Sequence, residues 1–400
     1  MNYSYEELME YIEQEDVKFV RLAFCDINGK QKNISISPAE LYRAFEEGIS
    51  FDASAIEGFG NETTTDLMLH PISKTFNILP WRPSHGKVVR MFCNIKYPDG
   101  TPFEIDTRYI LQQAVKKAKA KGITVNFGTE FEFYLFKTDE NGNPTDVPFD
   151  NAGYMDVAPE DKGENVRREI CLTLLEMGIN PECSMHLDGP GQNEIDFRYA
   201  DALTAADNAM NFVSVVKAVA LRNGLYADFS PKPISSKPGN GMHINISVKS
   251  EDGEMYNAKF MAGVMKHIRE ITVFLNTKED SYKRFGEHTA PKYVSWTIEN
   301  RSQLLRVPMR RNEAKRFELR SPDPCANPYL AFAMLIYAGL DGIENNVELC
   351  EPLNINLKSA GKDVTDKLEK LPETHADALK LASESEFVNS VLPKEVINLL

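Results

Sequence analysis

The 400-residue chain is 42% hydrophobic and 26% charged, enough to bury at least one large core in one or two domains. Its net charge of −14 argues against general attraction to nucleic acid or an anionic membrane; the acidic start lacks the layout of a signal peptide, and the longest apolar run, residues 331–340, is too short to span a bilayer. Six scattered cysteines without a C-x-x-C pair signal neither a thiolate zinc site nor a disulfide framework, so the composition predicts a cytoplasmic protein that works on small molecules.

Residues 17–24 and 32–36 flank Asn28-Gly29, whose tolerance of positive φ predicts a β-hairpin. A helix over 38–47 and strands near 76–79 and 88–95 complete a β-rich N-terminal domain, residues 1–100, with a turn at Pro98-Asp99-Gly100-Thr101-Pro102. Asp106 then caps a helix whose apolar Ile110, Leu111, Ala114, Val115 and Ala118 follow helical spacing, and Gly122 can end it in a left-handed conformation. This opens a second domain, residues 101–400. Further helices over 164–177, 202–223, 259–275 and 329–340 are interleaved with strands, which makes the fold class α+β.

Four of those strands alternate charged and apolar side chains. In 128–136 the period of two puts Glu130, Glu132 and Tyr134 on one face and Phe131, Phe133 and Leu135 on the other. Taken singly this is an edge strand with one wet face. The pattern recurs, however, with Glu194, Asp196 and Arg198 in 193–198, His243, Asn245 and Ser247 in 241–248, and Arg316, Glu318 and Arg320 in 315–320. On one sheet these would line a cavity with carboxylates, an imidazole and guanidinium groups. Hard cations such as Mg²⁺ or Mn²⁺ prefer carboxylate oxygen with an occasional imidazole, and arginine forks bind phosphate or carboxylate. The inventory predicts phosphoryl transfer from a metal-bound nucleotide, without a P-loop; a G-x-S-x-G elbow is missing too.

The residues 51–59 (F-D-A-S-A-I-E-G-F), 190–197 (P-G-Q-N-E-I-D-F), Pro231-Lys232-Pro233, Asn240-Gly241-Met242-His243, Asn300-Arg301-Ser302 and 323–330 (D-P-C-A-N-P-Y-L) carry a resemblance over nearly the whole chain. It resembles the type I (bacterial and archaeal) glutamine synthetase family. The resemblance implies an N-terminal β-grasp domain, a catalytic domain with a curved antiparallel sheet flanked by helices, and active sites shared between subunits of a homo-oligomeric ring. It implies synthesis of glutamine from glutamate, ammonia and ATP through γ-glutamyl phosphate. By position, Glu130, His243 and Glu318 would hold the metal at the nucleotide phosphates, and Glu132 and Glu194 a second metal. Arg301, Arg306 and Arg316 would contact phosphates or nucleotide, with Glu182 and Ser247 beside it. Gly239, Arg284 and Arg320 would hold glutamate, and Asp52 would reach the ammonium site from a neighbouring subunit.

Three positions depart from the family pattern. Leu187 stands where a metal-binding glutamate is expected, and Asp188, one residue on, would face away from the site on an extended strand unless a turn or bulge intervenes. Thr289 occupies the place of a flap glutamate before Ala290-Pro291, with Glu287 as a stand-in if the loop is rearranged. Pro238 replaces an asparagine before Gly239. Three readings follow: the ammonia ligase, a γ-glutamyl ligase for another amine, and a catalytically impaired nucleotide-binding homologue with a regulatory role.

Overall fold

The computed structural model describes residues 4–60, 65–82, 85–251, 256–308 and 316–400. The first hairpin forms as expected, β1 (Val17–Cys25) pairing antiparallel with β2 (Gln31–Ile36), but through a loop of residues 26–30 rather than a two-residue turn. Gly29 has φ +76°, and a β-carbon there would lie 3.2 Å from the Asn327 Cα, so the loop needs both left-handed backbone and a bare residue. The Asn327 amide fixes that contact by donating to the Asp26 and Ile27 carbonyls at 3.1 and 3.3 Å.

The rest of the first sheet is β3 (Ile49–Asp52), β4 (Asp66–Pro71), β5 (Asn77–Ile78) and β6 (Lys87–Lys96), in the order β2-β1-β6-β4-β3 with β5 on β6. β1 and β6 run parallel, and helices α1 (Tyr5–Gln14) and α2 (Leu41–Glu46) accompany the sheet. Sequence reasoning had α1, β3 and β4 missing. The Ser4–Glu7 capping box was a readable sign of α1. The helix expected over 38–47 divides into a 3-10 turn, Pro38–Glu40, and α2, because the chain leaves Pro38 by a tighter i to i+3 turn.

The second sheet is built on one long strand, β7 (Ile123–Thr138). Its companions are β8 (Pro144–Pro148), β9 (Pro181–His186), β10 (Gln192–Phe197), β11 (Ala200–Asp201), β12 (Leu225–Asp228), β13 (Met242–Ser250), β14 (Trp296–Ile298), β15 (Leu305–Val307) and β16 (Phe317–Leu319). The order is β14-β15-β16-β13-β7-β10-β9, with β8, β11 and β12 also on β7. All these pairings are antiparallel except β14 with β15. The four alternating strands therefore do lie side by side. The last of them is shorter than expected, and Lys315 falls outside the described residues.

Helices cover the apolar face. They include α3 (Thr107–Lys119), α4 (Glu164–Glu176), α5 (Ala202–Arg222), α6 (Asn257–Leu275), the short α7 (Glu279–Tyr282) and α8 (Pro328–Glu344). Asp106 caps α3 by accepting from the Arg108 N–H, and Gly122 beyond its end has φ +66°. Phe127 stacks on Phe332 of α8 at 4.3 Å between centroids, and Phe131 on Phe212 of α5 at 4.9 Å. With every second side chain of β7 locked into this core, the intervening Glu130 and Glu132 must emerge on the other face. No described helix is long and apolar enough to cross a membrane.

Candidate active site

Register assembles the polar face. Glu130 on β7 lies opposite His243 on β13 and, on its other side, opposite Asp196 on β10. Glu132 faces Glu194, while Glu318 on β16 faces Asn245 and Arg306. The His243 ring sits among three carboxylates: Nδ1 is 3.4 Å from Glu130 and 3.7 Å from Glu318, and Nε2 is 3.8 Å from Glu132. Ligand atoms of Glu130, His243 and Glu318 lie within 4.8 Å of one another, as do those of Glu132, Glu194 and His243 and those of Glu130, Glu194 and Asp196.

These carboxylates divide electrostatically. Burial works against ionisation of Glu130, but hydrogen bonds from His243 and Asn245 and the Arg320 charge hold its pKa below the usual range. Glu318 is likewise lowered against its burial, chiefly by Arg320. Arg320 NH1 pairs with Glu318 Oε1, and Arg306 NH1 donates to Oε2 at 2.8 Å. Glu194 is pushed well up by burial and by the charges of Asp196, Glu132 and Glu130, and Asp196 rises to about 8 through burial and Glu130. Negative charge is thus crowded on the β10 side and balanced by arginine on the β16 side.

Next to the carboxylates is a cavity of about 290 Å³ that contains Glu132, Glu194, His243, Arg284, Arg301 and Arg320 in its wall. Arg284 NH1 and NH2 donate to the Ser321 and Pro322 carbonyls at 3.1 and 3.3 Å, and Arg320 Nε to the Arg301 carbonyl at 3.0 Å. Each guanidinium keeps further N–H groups for a ligand. The wall at 238–240 is held by Tyr134, whose hydroxyl donates to the Pro238 carbonyl at 2.7 Å, and by Gln192, whose amide donates to the Gly239 carbonyl at 3.1 Å. A β-carbon on Gly239 would lie 2.4 Å from the Pro231 carbonyl oxygen, so only glycine fits. The arrangement can bind cations along the sheet and an anionic ligand against the arginines.

Comparison with known proteins identifies the family of the chain. A family model described as glutamine synthetase, catalytic domain, matches residues 104–399, and one described as glutamine synthetase, beta-Grasp domain, matches residues 16–98. The chain belongs to the glutamine synthetase family. The glutamine synthetase of Clostridium saccharobutylicum is 42% identical over 409 residues, covering 98% of this chain and 92% of that protein. That of Methanosarcina mazei is 41% identical over 411 residues, covering 98% and 91%. A solved complex of a protein called GmaS with ADP superposes with a TM-score of 0.89 at 27% identity, covering 100% of this chain and 94% of that one.

Within this glutamine synthetase fold, Glu130, Glu132, Glu194, His243, Glu318 and Arg306 meet on the sheet, and Gly239, Arg284, Arg301 and Arg320 line the cavity. Ser247 lies four residues beyond His243 on the same face of β13. Glu182 is exposed on β9, next to Cys183, which lies opposite Asp196. Arg316 precedes β16, with its Nε buried and unpartnered among the described residues. Asp52 stands apart at the end of β3, exposed, its carboxylate accepting from the Ser54 N–H at 3.0 Å. Asp196, Gln192 and Asn245 were visible on the alternating strands or beside them, yet received no role because their side chains are unremarkable for a polar strand face.

Leu187 and Asp188 both reach the cavity wall. β9 ends at His186, and the chain turns back through 187–191, with the Leu187 N–H donating to the Gln192 carbonyl at 2.8 Å. The turn anticipated as a condition for Asp188 is therefore present. Behind it, His186 places Nε2 2.9 Å from Asp150 and Nδ1 2.7 Å from the Leu187 carbonyl. Burial disfavours its charge, but these two acceptors outweigh it and raise the pKa above 6.5. A raised pKa contributes stability that is complete below the unfolded value and lost as pH climbs through the folded one. Wild type should exceed H186Q in urea-unfolding stability by more at about pH 5.5 than at about pH 8.5; an advantage independent of pH would contradict the charged ring.

Proposed function

We propose that the protein is a glutamine synthetase-type ligase that uses ATP to join ammonia to the γ-carboxylate of glutamate through γ-glutamyl phosphate. The observation that carries this is the His243 imidazole set among three carboxylates at the edge of an arginine-lined cavity. The donor set fits hard divalent cations: carboxylate oxygens and one imidazole, crowded enough to raise Glu194 and Asp196, with buried acceptors Asp196 Oδ1 and Asn245 Oδ1 unpartnered among the described residues. Glu130, His243 and Glu318 would hold one cation, and Glu132 and Glu194 a second, with Mg²⁺ or Mn²⁺ the suitable ions. Bound there, the cations supply neutralisation of phosphate charge.

The protein's own groups do the rest. Arg284 and Arg320 anchor the glutamate carboxylates, and Gly239 lets the ligand approach the backbone. Arg301, Arg306 and Arg316 draw charge from the transferring phosphoryl group, Arg316 with its orphaned buried Nε, while Glu182 and Ser247 flank the nucleotide. Asp52, remote from this cavity in its own chain, serves the ammonium site of an adjacent copy in a homo-oligomeric ring. The domain boundary lies near residue 100, and the protein works in the cytoplasm. Leu187 reduces the second cation site to two carboxylates and a shared imidazole.

A ligase for a larger amine is the second reading, favoured by the apolar Leu187 and Pro238 in the cavity wall beside Thr289. Phosphate release from ATP is expected to require glutamate and a divalent cation, to stop with chelator, and to be stimulated by ammonia. Stimulation by methylamine but not by ammonia would select the second reading. Release that stays at background with glutamate and every amine tried would leave only the regulatory homologue.

A further inference from the structure

We propose that Tyr134 is a positioning residue for the acid substrate: its hydroxyl fixes the Pro238–Gly239 peptide so that the Gly239 N–H is presented to a carboxylate in the cavity. The inference rests on the ligase reading above. Tyr134 extends the series Glu130, Glu132 along the polar face of β7, yet it is fully buried and stands behind the cavity wall rather than in it. A buried phenol needs a partner for its O–H. It finds one in the Pro238 carbonyl, to which it donates at 2.7 Å.

The surroundings hold the phenol in place. Tyr134 lies opposite Gln192 in the register of β7 with β10, and its ring stacks on Phe136 at 5.8 Å between centroids. A β-carbon on Gly189 would come within 2.0 Å of the Tyr134 oxygen, so the turn at 187–191 closes on the hydroxyl and leaves it no room to swing. The next carbonyl along the wall, that of Gly239, is held in turn by the Gln192 amide at 3.1 Å.

The neighbouring backbone donors are already committed. Lys237 N–H donates to the Ile234 carbonyl at 3.0 Å, Asn240 N–H to the Pro231 carbonyl at 2.9 Å and Gly241 N–H to Glu132 Oε2 at 2.8 Å, while Pro238 has no N–H to give. Among the described residues the Gly239 N–H has no partner, and Gly239 lines the cavity. The Pro238–Gly239 peptide is trans, so its N–H points opposite to its carbonyl. With that carbonyl drawn back onto Tyr134, the N–H is turned forward to the cavity side. Arg284 stands directly beside it, its Cγ 2.7 Å from where a β-carbon on Gly239 would lie. A fixed, uncharged donor thus joins the guanidinium groups that receive the acid.

The test compares wild type with Y134F, which keeps the ring and removes only the hydroxyl. The KM for glutamate should rise about 10-fold, while the KM for ATP and the kcat at saturating glutamate change less than about threefold. Hydrogen exchange over residues 231–241 reads the donor itself: glutamate should protect the Gly239 amide in wild type and fail to protect it in Y134F. A hydroxyl that merely stabilises the fold would instead lower the melting temperature with the glutamate KM unchanged, or move both KM values together. Either result overturns the positioning role, as does a wild-type Gly239 amide that glutamate leaves unprotected. That last measurement needs no variant and decides the matter even if Y134F does not fold. A wild-type protein that binds glutamate without turning it over overturns the ligase reading and leaves Tyr134 to be judged by exchange; one that does not bind glutamate at all overturns both.

Discussion

Glu194→Gln should lower glutamate-dependent phosphate release by about 10³-fold and, in chelator, raise the melting temperature of the protein. The two effects have opposite signs for one reason. Glu194 is nearly buried, opposite Glu132 in the strand register and within 4.8 Å, by ligand atoms, of both Glu130 and Asp196. Without a cation those carboxylates repel across a site of low dielectric, which burial and its neighbours register as a strongly raised Glu194 pKa. A carboxylate whose folded pKa is raised subtracts stability as pH rises above its ordinary value, so the neutral amide is better tolerated at pH 7. An increase of roughly 1–3 °C is the expected scale for a chain of this size. Added Mg²⁺ or Mn²⁺ should then raise the wild-type melting temperature more than that of E194Q. Equal cation shifts in the two proteins would remove Glu194 from the cation site.

What the sequence revealed follows from periodicity. Glu130 and Glu132 were readable because β7 is long and its alternate phenylalanines must pack on α5 and α8. His243 and Glu194 were readable for the same reason on β13 and β10. Arg306 was not: β15 has three residues, too few to display a period, and only the family resemblance pointed to it. His288, which lines the cavity, escaped notice because a flap turn has no period at all. Leu187 and Asp188 show the limit from the other side. Alternation predicts that they face opposite ways, whereas the chain has already left β9, and a turn carries both to the same wall. Asp52 is legible only as part of a motif, since in its own chain it lies outside the cavity at the end of β3.

Arg320→Ala should cost about 3–5 kcal/mol of folding stability and raise the KM for glutamate about 10- to 100-fold. Arg320 is 1% exposed and Glu318 0%. The pair survives in so dry a place because the guanidinium is shared: NH1 meets the Glu318 carboxylate while Nε satisfies the Arg301 carbonyl. Truncation leaves Glu318 with the Arg306 guanidinium at 2.8 Å and the more distant His243 ring at 3.7 Å, and leaves the Arg301 carbonyl without its donor. Arg320→Met separates charge from packing, because it refills most of the volume without restoring the hydrogen bonds. If the loss were one of packing, the methionine variant would recover most of the stability; if it is electrostatic, denaturant midpoints of the two variants should stay close together. The kinetic half depends on the remaining N–H groups of Arg320, which face the same cavity as Arg284. A variant with an unchanged KM for glutamate but a raised KM for ATP would move Arg320 from the acid-binding wall to the nucleotide, and Arg284 would then be left to hold the acid alone.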